Sequence, residues 1–167
     1  LEEIEQTINQ GERGWLSTVN VAILMSMRHD PALQSFVDRS RWIIADGQPL
    51  VWYSRLDTPP LPERVAGIDL VLPLCAWAEA SGHSVYLLGA TAHGNARLRS
   101  LLAARFPKLR LAGRDGYFSD DQSAQIAHDI RAFDADILLV GMGSPRQEMF
   151  IDQHWRALNT RFAAGLG

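Results

Sequence analysis

The chain has 167 residues, 47% of them hydrophobic and 21% charged, with a net charge of −3. That is enough for one globular domain with a full core. The mild acidity offers no footprint for nucleic acid or an anionic membrane surface, no apolar stretch reaches the roughly 20 residues that span a bilayer, and a single cysteine, Cys75, excludes an internal disulfide.

Leu1, Ile4 and Ile8 have helical spacing, and Gly11 and Gly14 end that segment. The acidic start, Leu1-Glu2-Glu3-Ile4-Glu5, lacks the basic n-region of a signal peptide. Trp15 to Val19 suits a strand, and Val21 to Met27 a helix. Asp30-Pro31 restarts a helix through Leu33, Phe36 and Val37. Trp42 to Ala45 reads as a short buried strand stopped by Asp46-Gly47. The proline-rich run Thr58 to Pro62 reads as a loop. Ile68 to Ala80 is helical despite Pro73, which marks a kink or a late start, and Gly82 closes it. Cys75 lies in this apolar pattern as a core residue.

Val85 to Leu88 is the next strand, ending at Gly89. Asn95 to Phe106 is helical, and Leu109 to Ala112 is a strand. Ser119 to Gln122 has the pattern of a helix cap ahead of Ile126, Ile130 and Phe133. Asp136 to Val140 is a strand broken by Gly141 and Gly143. Ser144 is expected to cap a helix that begins at Pro145 and runs to Trp155. Arg161 to Ala164 is the last strand. The chain opens without Met and stops as this strand enters a glycine turn, so the natural protein is expected to extend further. Strand and helix alternate at least four times. The prediction is one α/β Rossmann-like domain, a mostly parallel sheet with helices on both faces.

In such sheets a ligand lies at the C-terminal strand ends. Here those ends are Thr18-Val19-Asn20, Asp46-Gly47, Gly89-Ala90-Thr91, Gly113-Arg114 and Gly141-Met142-Gly143. The last is a strand, a glycine turn and a helix N-terminus with Gln147 and Glu148 in its first turn, suited to a polyhydroxylated or nucleotide ligand. It is neither a dinucleotide fingerprint nor a Walker loop. Asp46, placed after an apolar strand, is a general base in a cleft or an ordinary turn or cap residue. Thr18 and Asn20 lie two apart and could reach one ligand, or Asn20 caps the following helix. Arg64 offers a planar donor fork to a phosphate, or pairs with Glu63 or Asp69. Asp134-Ala135-Asp136 spells a metal-binding Asp-x-Asp pattern but precedes a strand, at the wrong end of the sheet, and reads as a solvated turn. The five histidines are scattered without metal-ligand spacing, so no metal is expected.

Six motifs in order carry a resemblance: Thr18-Val19-Asn20, Ala45-Asp46-Gly47, Arg64-Val65-Ala66-Gly67-Ile68-Asp69, Tyr86-Leu87-Leu88-Gly89, Gly116-Tyr117-Phe118, and Gly141-Met142-Gly143-Ser144-Pro145-Arg146-Gln147-Glu148. Together they resemble the WecG/TagA/CpsF glycosyltransferases, glycosyltransferase family 26, from about Thr18 to Gly167. The resemblance implies a GT-E fold and metal-independent, inverting transfer of a sugar from a UDP-sugar to a polyprenyl-diphosphate-linked saccharide in bacterial surface-polymer synthesis. It implies no cofactor. It places the base on Asp46, the acceptor contacts on Thr18 and Asn20, and pocket contacts on Arg64 and Gln147. Gly47, Gly67, Asp69, Gly89, Gly141, Gly143 and Glu148 fall in the same motifs as substrate-binding positions.

Residues 1–167 then form one catalytic core domain that lacks the family's basic, partly aromatic C-terminal membrane-associating segment. Family members work in the cytoplasm, peripheral to the inner face of the cell membrane. The resemblance implies slow or absent turnover for the 167 residues alone, and it leaves self-association into a homo-oligomer open. Two other readings are a nucleotide-dependent α/β enzyme such as a methyltransferase or dehydrogenase, and a non-catalytic sugar-nucleotide-binding module. The first expects a glycine-rich loop after the first strand, which Thr18-Val19-Asn20 is not.

Overall fold

The computed structural model describes residues 1–54 and 66–166, with the backbone alone at Tyr53. Their strands are β1 (Gly14–Val19), β2 (Trp42–Ala45), β3 (Ser84–Gly89), β4 (Arg110–Arg114), β5 (Ile137–Gly141) and β6 (Phe162–Gly165). The helices are α1 (Glu2–Asn9), α2 (Val21–Met27), α3 (Pro31–Asp38), α4 (Gln48–Ser54), α5 (Val71–Ser81), α6 (Ala92–Arg105), α7 (Ser123–Phe133) and α8 (Arg146–Leu158). All strand pairings are parallel, in the order β2-β1-β6-β5-β3-β4. The α/β class is as predicted, and the sheet is wholly rather than mostly parallel among the described residues.

Strand periodicity divides the core into two layers. Tyr86, Leu88, Leu138, Val140 and Ala163 face one side, where they meet Leu33 and Phe36 of α3, Ile126 and Ile130 of α7, and Phe150 and Ile151 of α8. Val85, Leu87, Ile137, Leu139 and Phe162 face the other, against Ile8 of α1, Leu74 and Cys75 of α5, and Leu102 of α6. Cys75 is fully buried, and burial pushes its thiol up to about 11, so at neutral pH it is a protonated core group rather than a nucleophile.

Local chemistry sets the helix boundaries. Asn20 Oδ1 accepts from the Ile23 amide and starts α2, and Asp30 Oδ1 accepts from the Ala32 and Leu33 amides to start α3. Thr91 Oγ1 accepts from Gly94 N, so α6 begins at Ala92, three residues before the predicted start. A 3-10 turn at Gly67–Leu70 leads into α5, where Pro73 sits in the first turn and needs no amide partner. It is a late start, not a kink. α4 was not foreseen, because Asp46-Gly47 reads as a turn and Pro49 as a breaker; Pro49 instead occupies the first turn. The predicted proline loop, Thr58 to Pro62, lies outside the described residues.

The direction of winding reverses between β3 and β5. β3 leads into α6 on one face, and β5, its neighbour, leads into α8 on the other. A crevice therefore opens where these two strands end. Gly89 and Gly141 are the facing pair at this point. Gly89 has φ +140°, and a β-carbon there would lie 2.2 Å from the Gly141 carbonyl oxygen. Gly89→Ala is therefore expected to cost more than about 2 kcal/mol, the sum of backbone strain and a contact with no flexible partner to yield. Urea unfolding measures it, and an unchanged midpoint would show that the two strand ends separate freely.

His154 on α8 is buried, with Nε2 3.1 Å from Ser123 Oγ, and desolvation holds its pKa below the ordinary 6.5. The unfolded chain takes up this proton first as pH falls. The neutral ring thus stabilises the fold fully above the unfolded value, and that contribution is lost as pH drops through 6.5 toward the depressed folded value. The urea midpoint is expected to fall between pH 7.5 and 5.5, with a shallower fall in His154→Gln; equal slopes for both proteins would exclude His154 as the source.

Candidate active site

The strand ends at the β3–β5 crossing are tied together by their own backbone. Ala90, in the left-handed region at φ +55°, donates its N–H to the Gly141 carbonyl at 2.9 Å. Its own carbonyl accepts from Gly116 N at 3.0 Å, which draws in the loop after β4. Asn95 Nδ2 donates to the carbonyls of Leu87, Gly89 and Arg114, so the first turn of α6 is fastened to the same strand ends. A cavity of about 170 Å³ lies on the α8 side, lined by Ala90, Gly116, Tyr117, Gly141, Met142 and Arg146. An apolar cavity of about 210 Å³ lies on the α6 side, and Ala90 and Gly141 border both.

The α8-side cavity carries positive charge. Arg146, the first residue of α8, lies 4.7 Å from the Phe118 ring centroid and donates to the Phe118 carbonyl. Arg114, the last residue of β4, lies 5.6 Å from the same ring, and its buried Nε has no hydrogen-bond partner. Among the described residues no carboxylate pairs with either guanidinium. Tyr117 stands 72% exposed at the rim. Two unneutralised cations, an exposed aromatic ring and a helix N-terminus suit an anionic ligand with a planar group.

A second cluster lies where β1, β6 and α8 meet. Buried Thr18 donates through Oγ1 to the Gly165 carbonyl at 3.2 Å. A β-carbon on Gly67 would come within 2.7 Å of Thr18 Cγ2, and one on Gly165 within 2.5 Å of Gln147 Nε2. Gln147 Nε2 donates to Glu148 Oε1 at 3.0 Å, and both residues are buried. The glycines here are close-approach positions that seat Gln147 against β6 and the 3-10 turn against β1. Alongside, Asp46 N donates to the Val19 carbonyl at 2.8 Å, and Gly47 lies against Asn20, with a β-carbon on Gly47 placed 3.8 Å from that of Asn20. Asp46 is half-buried.

Sequence reasoning thus selected residues that share the C-terminal edge of the sheet. Thr18, Gly67 and Gln147 meet there, as do Asn20 with Gly47 and Gly89 with Gly141. Asn20 is a helix cap, and that bond engages only Oδ1. Asp69 is exposed in the 3-10 turn, and Arg64 lies outside the described residues. Gly143, at φ +79°, bends the chain into α8 and accepts from Gln147 N at 3.1 Å.

Two expectations need correction. Ser144 does not cap α8: it is exposed, the Ser144–Pro145 peptide is cis, and helical geometry begins at Arg146, so Pro145 precedes the helix rather than opening it. Asp136 is not a solvated turn residue. Its Oδ2 accepts from Ser84 N at 2.9 Å and Ser84 Oγ at 3.1 Å, and it pairs with His83 and Arg161. It is a structural clasp at the N-terminal edge. The sequence reading passed over Arg114, Tyr117 and Arg146, although Gly113-Arg114 is a polar strand end and Arg146 sits between Pro145 and Gln147. Among the described residues no three His, Cys, Asp or Glu side chains converge on a common point, and no helix is long and apolar enough to cross a membrane.

Comparison with known proteins matches residues 1–167 to the glycosyl transferase WecG/TagA/CpsF family. The N-acetylglucosaminyldiphosphoundecaprenol N-acetyl-beta-D-mannosaminyltransferase of Bacillus spizizenii is 30% identical over 161 residues, covering 96% of this chain and 62% of the relative. The protein of the same name from Staphylococcus aureus strain MRSA252 is 29% identical over 153 residues, covering 92% and 60%. The chain therefore spans about three-fifths of the length of these relatives. With the family's profile matched along its whole length and the motif residues gathered on one edge of an all-parallel sheet, the chain belongs to the WecG/TagA/CpsF family of glycosyl transferases.

Proposed function

We propose that the protein is a hexosyltransferase that moves a sugar from a UDP-sugar to a polyprenyl-diphosphate-linked saccharide, with inversion and without a metal, in the synthesis of a bacterial cell-surface polysaccharide. The observation that carries this reading is the convergence of Thr18, Asn20, Asp46, Gly47, Gly67, Gly89, Gly141, Gly143, Gln147 and Glu148 on the C-terminal edge of one parallel sheet. The relatives' names supply the chemistry: an N-acetylmannosaminyl group delivered to N-acetylglucosaminyl-diphosphoundecaprenol.

In this reading the donor's nucleotide occupies the α8-side cavity, with its base against Tyr117 and its diphosphate facing Arg146, Arg114 and the amides at the start of α8. The acceptor sugar sits toward β1, near Thr18, Asn20 and Asp46. Asp46 takes the proton of the attacking hydroxyl, and that oxygen bonds to the anomeric carbon from the face opposite the nucleotide. The carbon–oxygen bond to the diphosphate breaks with its electron pair staying on UDP. The guanidiniums and helix-terminal N–H groups, with Arg64, stabilise the charge that develops there. Arg146 is oriented before reaction by the Phe118 carbonyl and ring, and the strand ends by the Ala90–Gly141 and Gly116–Ala90 backbone bonds, so little reorganisation accompanies bond breaking. The polyprenyl acceptor brings the protein to the inner face of the cytoplasmic membrane as a peripheral protein.

Asp46→Asn in the whole encoded protein is the direct test. Turnover with a short-chain lipid-diphosphate acceptor is expected to fall by about 10²–10⁴-fold, the contribution of a positioned base. UDP binding, measured by calorimetry, is expected to change less than about threefold, because the carboxylate does not face the nucleotide. Undiminished turnover in Asp46→Asn would remove the base assignment, and absence of transfer by the unmodified protein across a panel of UDP-sugars would favour a binding module.

A further inference from the structure

Gln147 is 0% exposed and Glu148 5% exposed, and they are joined by one hydrogen bond, Gln147 Nε2 to Glu148 Oε1 at 3.0 Å. On its other side Gln147 Nε2 lies against Gly165, whose carbonyl is held by Thr18 Oγ1. Two acceptors in this pair, Gln147 Oε1 and Glu148 Oε2, are buried without a hydrogen-bond partner. A buried acceptor left unmatched costs on the order of 1–3 kcal/mol, so a native protein keeps one where something else supplies the donor.

A side-chain amide is ambivalent. One end donates, the other accepts, and a half-turn exchanges them. An ionised carboxylate only accepts. With Glu148 as its neighbour, Gln147 gains its hydrogen bond in one orientation alone, N–H toward Glu148 and C=O away from it. The reverse orientation would set carbonyl oxygen against carboxylate oxygen in a buried site. On the Gly165 side the amide is packed so closely that a single added β-carbon would lie 2.5 Å from Nε2.

We infer that Glu148 is a positioning residue that locks the Gln147 amide with its carbonyl presented to the substrate, as the acceptor for a sugar hydroxyl or acetamido N–H. This rests on the glycosyl-transfer reading for the identity of the ligand, and on the hydrogen-bond geometry alone for the orientation. It makes the site selective for a donor group at one sugar position: an analogue that presents an acceptor there would meet a second oxygen.

The test exchanges the two side chains in the whole encoded protein. Gln147→Glu removes the N–H and sets two carboxylates together; transfer efficiency and UDP-sugar affinity are each expected to fall at least about tenfold, the effect of losing roughly 1.4 kcal/mol. The double variant Gln147→Glu/Glu148→Gln restores one N–H···O bond in the opposite sense and leaves an acceptor oxygen on residue 147. It is expected to regain at least tenfold of what the single variant loses, in kcat/KM and in the Kd for a UDP-N-acetylhexosamine. Glu148→Gln alone can pair with Gln147 in either orientation, so it releases the lock and is expected to raise the Kd for a UDP-N-acetylhexosamine about twofold or more, while Glu148→Leu raises the KM for one sugar substrate more than it lowers kcat. Thermal midpoints separate folding from function. A double variant with an unmodified midpoint and the low affinity of Gln147→Glu overturns the inference, since the substrate would then need the amide N–H. Glu148→Leu with unaltered KM and Kd overturns it as well, as does an unmodified protein that binds no UDP-sugar. Binding that follows the expected pattern in a protein without transfer activity upholds the positioning role and discards the transferase reading.

Discussion

The carbonyl oxygen of Gly141 stands where a side chain on Gly89 would have to begin. Much of the site follows from that contact. It forces β3 to end in a conformation reserved for glycine, sends Ala90 into the left-handed region, and lets its N–H and C=O stitch β5 and the loop before α7 to one another. Beyond the stitch, α6 departs to one face and α8 to the other. Main chain at Ala90 and Gly141 therefore forms part of the wall of the crevice between them. Amide dipoles fixed in a sheet and at helix termini do not rotate to solvate a charge that appears, and that is the property a departing diphosphate needs.

Side chains complete this arrangement by what they are not paired with. Arg114 and Arg146 flank one aromatic ring, Phe118, and Arg146 is further held by a main-chain carbonyl. A ring and a carbonyl fix a planar guanidinium at an attraction of about 0.5–2 kcal/mol without cancelling its charge. Carboxylate partners would hold the arginines more firmly and neutralise them. Elsewhere in the molecule arginines do take that course: Arg39 pairs with Asp152 at 2.9 Å on the surface, well away from the strand ends. The contrast separates arginines that stabilise the fold from arginines whose charge is left for a ligand.

The fold was largely legible in the sequence because its signals are local. The apolar run Trp42 to Ala45 and the helix Val21 to Met27 have the boundaries the sequence indicates, since a turn or cap residue stands at each end. Legibility failed where a tertiary contact decides. Nothing local marks Gln48–Ser54 as a helix after the Asp46-Gly47 stop. Ser144 has the right chemistry for a cap, but helical geometry starts two residues later, at Arg146. For the site, the described motif residues fall on the C-terminal edge of the sheet, but the motifs do not single out Arg114 and Arg146 on that edge. Arg114 and Arg146 are 32 positions apart in sequence and come together only through the face of Phe118, a relation no spacing rule encodes.

Two aspartates show how position in a parallel sheet sorts the same side chain into different work. Asp136 stands just before β5, at the N-terminal edge, where the start of β3 supplies an amide and a hydroxyl and where the His83 ring and the Arg161 guanidinium approach within 3.4 Å. Every one of those contacts joins elements of the fold: β3 to β5, and the start of β6 to both. Asp46 stands just after β2, at the C-terminal edge; it is half-buried, and its backbone N–H is held by the Val19 carbonyl next to the Asn20–Gly47 contact. The Asp-x-Asp spelling around Asp136 is the more conspicuous pattern, yet at that edge it is enclosed by structural donors. Asp46 belongs to an ordinary Asp-Gly pair, and it lies on the edge that carries the crevice, Arg114, Arg146 and the buried amide of Gln147. On the proposed function, which end of a strand an aspartate occupies is thus a stronger guide to its work than the motif in which it is spelled.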